Sequence, residues 1–296
     1  MNTCVIFNPT ARGEKAKRFR QHLNQIGATS KLKLTTAPGD ARRLAREAVE
    51  EGFETVVAAG GDGTVNEVLN GIGDVADGFM HSRLGVLPLG TVNVFARELK
   101  IPLSILKAWR CIEQGREIEI DLPCGQTTNN GSPETRYFAQ LAGAGLDARA
   151  VELVAWQLKK RIGSLAYVVA GVQALFGPPA QITVVTGQET LTGGLVLIGN
   201  GRLYGGSFQV FPKADLRDGL LDVCVFPRVD WRVLARCGPG LLTTGRLPSS
   251  AVRLVQAKSI TLTAPERTAA EIDGELFGVL PARFFLAPMR LRVVVP

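Results

Sequence analysis

Along the first 120 residues the apolar positions follow two textures. Short β-branched runs alternate with longer stretches in which apolar residues return every three or four positions. The short runs predict strands at residues 3–7, 31–35, 55–59, 84–88 and 117–122, and the longer stretches predict helices at 14–26, 40–51, 63–72, 93–99 and 103–114. The stretch from Asp40 shows the helical period best. Ala41, Leu44, Ala45, Ala48 and Val49 fall on one face and Arg42, Arg43, Arg46, Glu47 and Glu50 on the other, so one side packs and the other is solvated. Strands and helices in alternation predict a mostly parallel sheet in an α/β lobe.

After Asp121 the texture changes. A polar segment, 125–133, reads as a hairpin loop and places a boundary near residue 123. Beyond it, Thr- and Val-rich runs at 181–186, 194–198, 221–226, 259–263 and 291–295, separated by Gly and Pro turns, predict a β-sandwich. Helices are expected at 148–159, 165–175 and 231–243. The expected organisation is an α/β nucleotide-binding lobe over 1–122 and a β-sandwich lobe over 123–280, with 281–296 returning to the first lobe.

Composition narrows the class. The chain has 296 residues, 46% of them hydrophobic, enough for two cored lobes. No apolar run reaches the ~18 to 20 residues of a membrane span. The chain moves from Met1 straight into an apolar run without a basic leader, so a cytoplasmic protein is expected. Five scattered cysteines and two histidines support neither a disulfide framework nor a zinc site, and leave little for Ser-His-Asp or Cys-His chemistry. A net charge of +7 favours anionic partners: nucleotides, nucleic acid or an acidic membrane surface. Nucleic acid has only the charge in its favour, because no basic-aromatic motif accompanies it.

The strongest local signal is the strand end Gly60-Gly61-Asp62-Gly63-Thr64-Val65-Asn66, which opens a helix. Glycines let backbone N–H groups approach an anion, and the helix N-terminus adds partial positive charge. Asp62 would repel a bare phosphate unless a cation such as Mg²⁺ lay between them; the same residues also suit a tight turn with a capping Asp. A second turn, Leu89-Gly90-Thr91-Val92-Asn93, and Asn8-Pro9 after the first strand fall on the same carboxyl edge, where open α/β sheets bind ligands. Asp215, Asp218 and Asp222 cluster in a loop entering a strand, which suits an oxygen-liganded cation or a solvated Asp-Gly turn. Near the C-terminus, Glu271-Ile272-Asp273-Gly274-Glu275 has the form of a hairpin turn.

These blocks together resemble the diacylglycerol kinase catalytic-domain family, which includes bacterial soluble lipid kinases and sphingosine kinases. The resemblance runs from Phe7-Asn8-Pro9 through the two Gly-Thr turns to Tyr137–Ala148, Gly199–Gly206, Pro212–Asp222 and the Asp-Gly-Glu block. It implies an N-terminal sheet like that of NAD kinase and phosphofructokinase. It implies ATP across the carboxyl edge, touching Asn8, Pro9, Thr10, Ala11 and Arg12, then Thr35, then Gly60, Gly61, Asp62, Gly63, Thr64, Val65 and Asn66, and Thr91. It implies Mg²⁺ held by Asp62 and Asp121, and a structural Mg²⁺ loop with ligands from Asp215, Asp218 and the Leu220 carbonyl. Asp273 would take the proton of a lipid hydroxyl at a cleft between the lobes, with Glu275 orienting the hydroxyl or the metal.

Three positions depart from the family pattern. Val94 stands where an Asp commonly follows Asn93, Gln140 where Asn is common, and the glycine after Asn8-Pro9 comes late, at Gly13. The implied acceptor is diacylglycerol or a related lipid met peripherally at an anionic membrane surface, and a homodimer is compatible with this reading. Lys159-Lys160-Arg161 followed by the apolar stretch 162–175 suits either an interfacial helix or core packing. An NAD-kinase-like enzyme with a soluble acceptor and a non-catalytic nucleotide-binding regulator are the alternatives.

Overall fold

The computed structural model describes residues 2–9, 19–22, 26–129, 132–153, 180–248 and 250–296. Most of the helix expected at 14–26, the end of that at 148–159 and all of that at 165–175 lie outside these residues, as does Lys159-Lys160-Arg161. The chain forms two compact units, Met1–Leu122 with Pro288–Pro296, and Pro123–Ala287.

In the first unit, β1 (Thr3–Phe7), β2 (Lys31–Leu34), β3 (Thr55–Gly60) and β4 (Arg83–Pro88) lie in the order β2-β1-β3-β4, joined beyond β4 by the end of the last strand, β18 (Ala282–Val295). Every neighbouring pair in this row is parallel. β1, β3 and β4 are buried almost throughout, as strands covered on both faces must be. The helices are α1 (Asp40–Glu50), α2 (Asp62–Gly73), a single turn α3 (Gly78–His81), α4 (Val94–Glu98) and α5 (Ile105–Gln114). On α1 the apolar face read from the sequence is the buried one, Ala41, Leu44, Ala45, Ala48 and Val49.

α1 and α2 cross closely because Gly71 has no side chain. A Cβ there would stand 2.2 Å from the Arg42 carbonyl oxygen and 2.6 Å from the Ala45 Cβ. The pair is tied at its edge by a bidentate bond from Arg42 to Asp74, 2.7 Å at each oxygen.

The second unit packs two antiparallel sheets. One sheet runs β14 (Arg253–Ala257), β13 (Leu221–Phe226), β10 (Leu195–Gly199), β7 (Leu141–Gly145), β16 (Ala269–Ile272) and β17 (Glu275–Val279). The other joins β9 (Thr190–Gly193), β8 (Ile182–Val185), β15 (Ser259–Thr263) and the first part of β18. Alternate side chains meet between the sheets: Ala142, Val196, Ile198, Val223 and Ile272 from one, Val184, Ile260, Leu262 and Phe284 from the other. The opposite face of the six-stranded sheet carries a second cluster, with Leu197, Cys224 and Phe226 packed on Phe211 and on Cys237 of α7 (Trp231–Thr244). A helix α6 (Leu146–Leu153) follows β7, and a small ribbon pairs β11 (Leu203–Tyr204) with β12 (Phe208–Gln209).

The polar segment 125–133 is not a loop. β5 (Arg116–Asn129) runs into it and pairs with β6 (Ser132–Tyr137), Cys124 opposite Tyr137 and Asn129 opposite Ser132; residues 130–131 lie outside the described residues. Gly125 is there for packing: a Cβ would lie 2.8 Å from Ile272 and about as close to Phe277 and Phe284. Thr127 is buried and donates its hydroxyl to the Val279 carbonyl at 2.7 Å. Polar composition read as a turn is here a strand whose polar groups are satisfied inside the fold.

All five cysteines are buried and free. Burial pushes Cys4 up to about 11 and Cys124 and Cys224 up to about 12, so these thiols stay protonated and unreactive at neutral pH.

Gly71→Ala is expected to push α1 off α2 and cost about 1–3 kcal/mol of stability, read as a lower Tm. An unchanged Tm would mean that the helix crossing is looser than Gly71 requires.

Candidate functional site

The carboxyl ends of the parallel strands are knitted together by main-chain bonds. Thr35 N–H donates to the Phe7 carbonyl at 3.0 Å and Asn8 N–H to the Ala59 carbonyl at 3.3 Å. Leu89 and Gly90 N–H both reach the Gly60 carbonyl, at 2.9 and 3.2 Å. The strand order reverses between β1 and β3, so this edge is the crevice where open α/β sheets bind ligands. Asn8, Thr35, Gly60 and the 89–91 turn, expected separately, are brought together here. Thr10, Ala11 and Arg12 lie outside the described residues.

The two glycine turns touch backbone to backbone. A Cβ on Gly90 would lie 2.5 Å from the Gly61 Cα, and one on Gly60 would strike the Thr64 side chain. Asn93, in the left-handed region at φ 54°, closes the second turn: its Oδ1 accepts from Gly90 N–H at 2.9 Å and its Nδ2 donates to the Gly90 carbonyl at 2.6 Å. α2 starts at Asp62, so the first N–H groups of a 12-residue helix open at this edge, next to Thr64 and Asn66, both buried.

Asp62 faces the other turn. Its carboxylate accepts from Phe95 N–H at 3.2 Å and is also met by the N–H groups of Val94 and Asn93, capping α4. Burial raises its pKa, and these bonds pull it down only in part. Val94, in the place of an expected Asp, is a buried apolar residue at the start of α4. Asp121 is buried with Arg290 Nη2 3.1 Å from its Oδ1. Both carboxylates expected to hold Mg²⁺ are therefore engaged by donors of the protein. As they stand they do not fit a ready metal pair, and no group of three or more His, Cys, Asp or Glu among the described residues does so.

Thr35 and its neighbour Thr36 differ in their contacts. Asp40 Oδ2 accepts the Thr36 hydroxyl at 2.5 Å and the N–H groups of Thr36 and Ala37 at 2.7 and 3.0 Å. Thr36 is thereby tied into the turn. Thr35 is buried, and its hydroxyl has no partner among the described residues. Glu67 of α2 accepts from Gly39 and Ala41 N–H at 3.2 and 2.9 Å and caps α1, a contact that sequence spacing did not reveal.

In the second unit the Asp-Gly-Glu block is a two-residue hairpin turn, Ile272 paired with Glu275. Asp273 and Gly274 have φ of 47° and 82°, the geometry for which Asp-Gly is favoured. The Asp273 carboxylate accepts three main-chain N–H groups, from Ala139 at 2.8 Å and from Gln140 and Leu141 at 3.0 Å. Its own N–H donates to the Leu141 carbonyl at 2.8 Å. Glu271 is fully buried and accepts from Gly274 N–H at 2.7 Å. Glu275 is exposed, 3.9 Å from Arg136 Nη1. Gln140 extends the network, its Nε2 donating to the Leu203 carbonyl and its carbonyl accepting from Asn200 N–H, both at 2.9 Å. Three sequence blocks far apart in the chain thus meet around Asp273.

The acidic loop folds on itself. Asp215 Oδ1 accepts from Arg217 N–H at 3.1 Å and Asp218 Oδ1 from Leu220 N–H at 3.0 Å. Asp222 is buried and held by Gln256 Nε2 at 3.2 Å. Burial pushes its carboxyl up to about 6, and the charge of Asp218 adds to this. Asp215, Asp218 and the Leu220 carbonyl, the expected cation ligands, lie in this one loop, where each of the two carboxylates is bonded to a main-chain N–H, and they form no three-acid metal cluster among the described residues.

The chain thus joins an N-terminal α/β lobe, with glycine turns at the carboxyl edge of its parallel sheet, to a C-terminal antiparallel β-sandwich that carries an acid-turned hairpin. Residues 2–124 match the diacylglycerol kinase catalytic domain, and residues 140–295 match the YegS C-terminal NAD kinase beta sandwich-like domain. The chain belongs to the diacylglycerol kinase catalytic-domain family. It is 30% identical to the diacylglycerol kinase of Bacillus subtilis (strain 168), over 99% of this chain and 95% of that one. It is also 30% identical to the "Probable lipid kinase YegS-like" of Cronobacter sakazakii, over the same shares of the two chains. A crystal structure of a diacylglycerol kinase from Bacillus anthracis str. Sterne shares the fold, with a TM-score of 0.69 at 21% identity over 99% of this chain and 96% of that one. No helix among the described residues is long and apolar enough to cross a membrane.

The bonds to Asp40 hold its carboxyl well below the ordinary value of 3.8. Its stabilisation is complete above that value and is lost as pH falls below it towards the folded pKa. Asp40→Asn is expected to flatten the acid limb of a Tm-against-pH curve, and an unchanged limb would show that the Thr36 bonds do not persist in solution.

Proposed function

We propose that the protein is an ATP-dependent lipid kinase that transfers the γ-phosphate to a hydroxyl of diacylglycerol or a related lipid. The observation that carries this reading is the full-length relation at 30% identity to proteins named diacylglycerol kinase. The N-terminal unit supports it with the Gly60–Thr64 turn, the α2 N-terminus, Thr35 and Thr91 at one sheet edge, a setting for ATP phosphates. In the C-terminal unit Asp273 is the proposed proton acceptor, and its three N–H bonds fix its position as a base must be fixed. As the acceptor oxygen bonds to the γ-phosphorus, the bond to the β–γ bridging oxygen breaks, ADP leaves and the hydroxyl proton passes to Asp273. Bound Mg²⁺ would supply charge neutralisation on the phosphates. The lipid is met peripherally, at a membrane surface.

Transfer of labelled γ-phosphate to a panel of lipids in mixed micelles, run beside NAD, tests the reading. Phosphate on a lipid hydroxyl is expected, and label on NAD alone would overturn it. Asp273→Asn should lower turnover by ~10² or more with ATP affinity little changed. It should also lower Tm, because an amide NH₂ then opposes backbone N–H groups. If Asp273 serves only as a clamp, activity per folded molecule will instead stay near normal.

The acidic loop gives a separate test. Mg²⁺ is expected to raise the Tm of the protein, and Asp218→Ala to abolish that rise. A Tm indifferent to Mg²⁺ and EDTA would remove the cation from the loop.

A further inference from the structure

A cavity of about 610 Å³ opens in the C-terminal unit where the 186–188 turn, Leu220 and the start of β15 meet. Small-molecule sites span about 300–1,000 Å³. None of its lining residues belongs to the Asp273 network. The walls carry two cations, Lys258 and Arg283, with the hydroxyls of Ser259 and Thr261 and the amide of Gln256, and they carry no carboxylate.

Strand register explains the convergence. Arg283 of β18 lies opposite Thr261 of β15, which lies opposite Val185 of β8. Their neighbours Ala282, Phe284, Leu262 and Val184 fill the sandwich core, so this row stands on the outer face. Arg283 is held in place: its Nε donates to Ser259 Oγ at 3.0 Å and its guanidinium lies 5.1 Å from the centre of the Phe285 ring. Its terminal NH₂ groups and the Lys258 ammonium meet no acceptor among the described residues. Gln256 is fixed by its bond to Asp222.

Two like charges stand beside one concavity whose lining holds no acid, the Asp218 and Asp222 carboxylates being bonded to Leu220 N–H and Gln256 Nε2 of its wall, and such a pair of cations favours an anion. A guanidinium held by its Nε presents its remaining donors in a plane, the geometry that suits phosphate oxygens. We infer that this cavity is a binding site for a phosphomonoester group, with Lys258 and Arg283 on its oxygens and Ser259, Thr261 and Gln256 at its rim. The group comes either from a soluble phosphate compound or from the headgroup of an anionic lipid.

Calorimetric titration with inorganic phosphate and with glycerol 3-phosphate reads the soluble source. Sedimentation with phosphatidylcholine vesicles, with and without phosphatidic acid, reads the lipid source. The full chain is compared with Lys258→Gln/Arg283→Gln and with Arg228→Gln/Arg253→Gln, which removes the same charge outside the cavity. In at least one arm the first variant should bind at least about tenfold more weakly, while the control and Lys258→Arg bind normally. Loss in the titrations identifies a soluble ligand, and loss confined to the phosphatidic acid vesicles identifies a headgroup. No binding in either arm, or equal weakening in the charge-matched control, overturns the site. Matching circular dichroism melts of the variants exclude unfolding as the cause of a loss.

Discussion

The N-terminal unit depends on the contact of Gly61 with Gly90. The 60–64 and 89–93 turns follow neighbouring parallel strands, and they can close on each other only where residue 90 carries no Cβ, which would lie 2.5 Å from the Gly61 Cα. That approach lets Leu89 and Gly90 bond the Gly60 carbonyl and brings Asp62 onto the N–H groups at the start of α4. The glycines thus serve packing first. Under the proposed function, the same lack of side chains would also let a phosphate approach the main chain, so that packing and phosphate binding would call for the same residue type.

Acidic side chains share one task across both units. Asp40, Asp62, Glu67, Asp218, Glu271 and Asp273 each accept main-chain N–H groups in turns or at helix starts. Such bonds are charge-assisted and satisfy donors that no regular element would take. A carboxylate used this way is held still. For Asp273 that is compatible with acting on a hydroxyl, because a base must be positioned before its proton affinity matters. For Asp62 it points the charge at α4, and this explains how Val94 can be a buried apolar residue without leaving that turn unsupported.

The C-terminal unit reaches similar order by a different route. Its catalytic candidate Asp273 sits on a hairpin tip and is held by the main chain of 139–141, elements that antiparallel pairing brings side by side through β7 and β16. The sandwich core fixes that register, since a slip of one residue would turn Ala142 and Ile272 out of the core. The outer face of the other sheet is under no such constraint, and there charged and hydroxyl residues line a cavity of their own.

The parts of the fold whose signal is local were legible in the chain alone. The period of α1, the apolar runs of β1, β3 and β4, and the glycine-rich strand ends are set by residues within a few positions of one another, and the α/β lobe followed by a β-sandwich could be read from them. Motif order along the whole chain carried the family. Tertiary structure alone decided what each polar residue holds. Nothing near Asp62 in the chain shows that its carboxylate meets Phe95, and nothing near Asp273 shows that it meets Ala139, Gln140 and Leu141. The polar run 125–133 has the composition of a loop for the same reason, because the carbonyl that takes the Thr127 hydroxyl lies 152 positions away. Hydrophobic periodicity reports which face is buried. A hydrogen bond between distant segments leaves no period, and only the folded chain brings its two ends together.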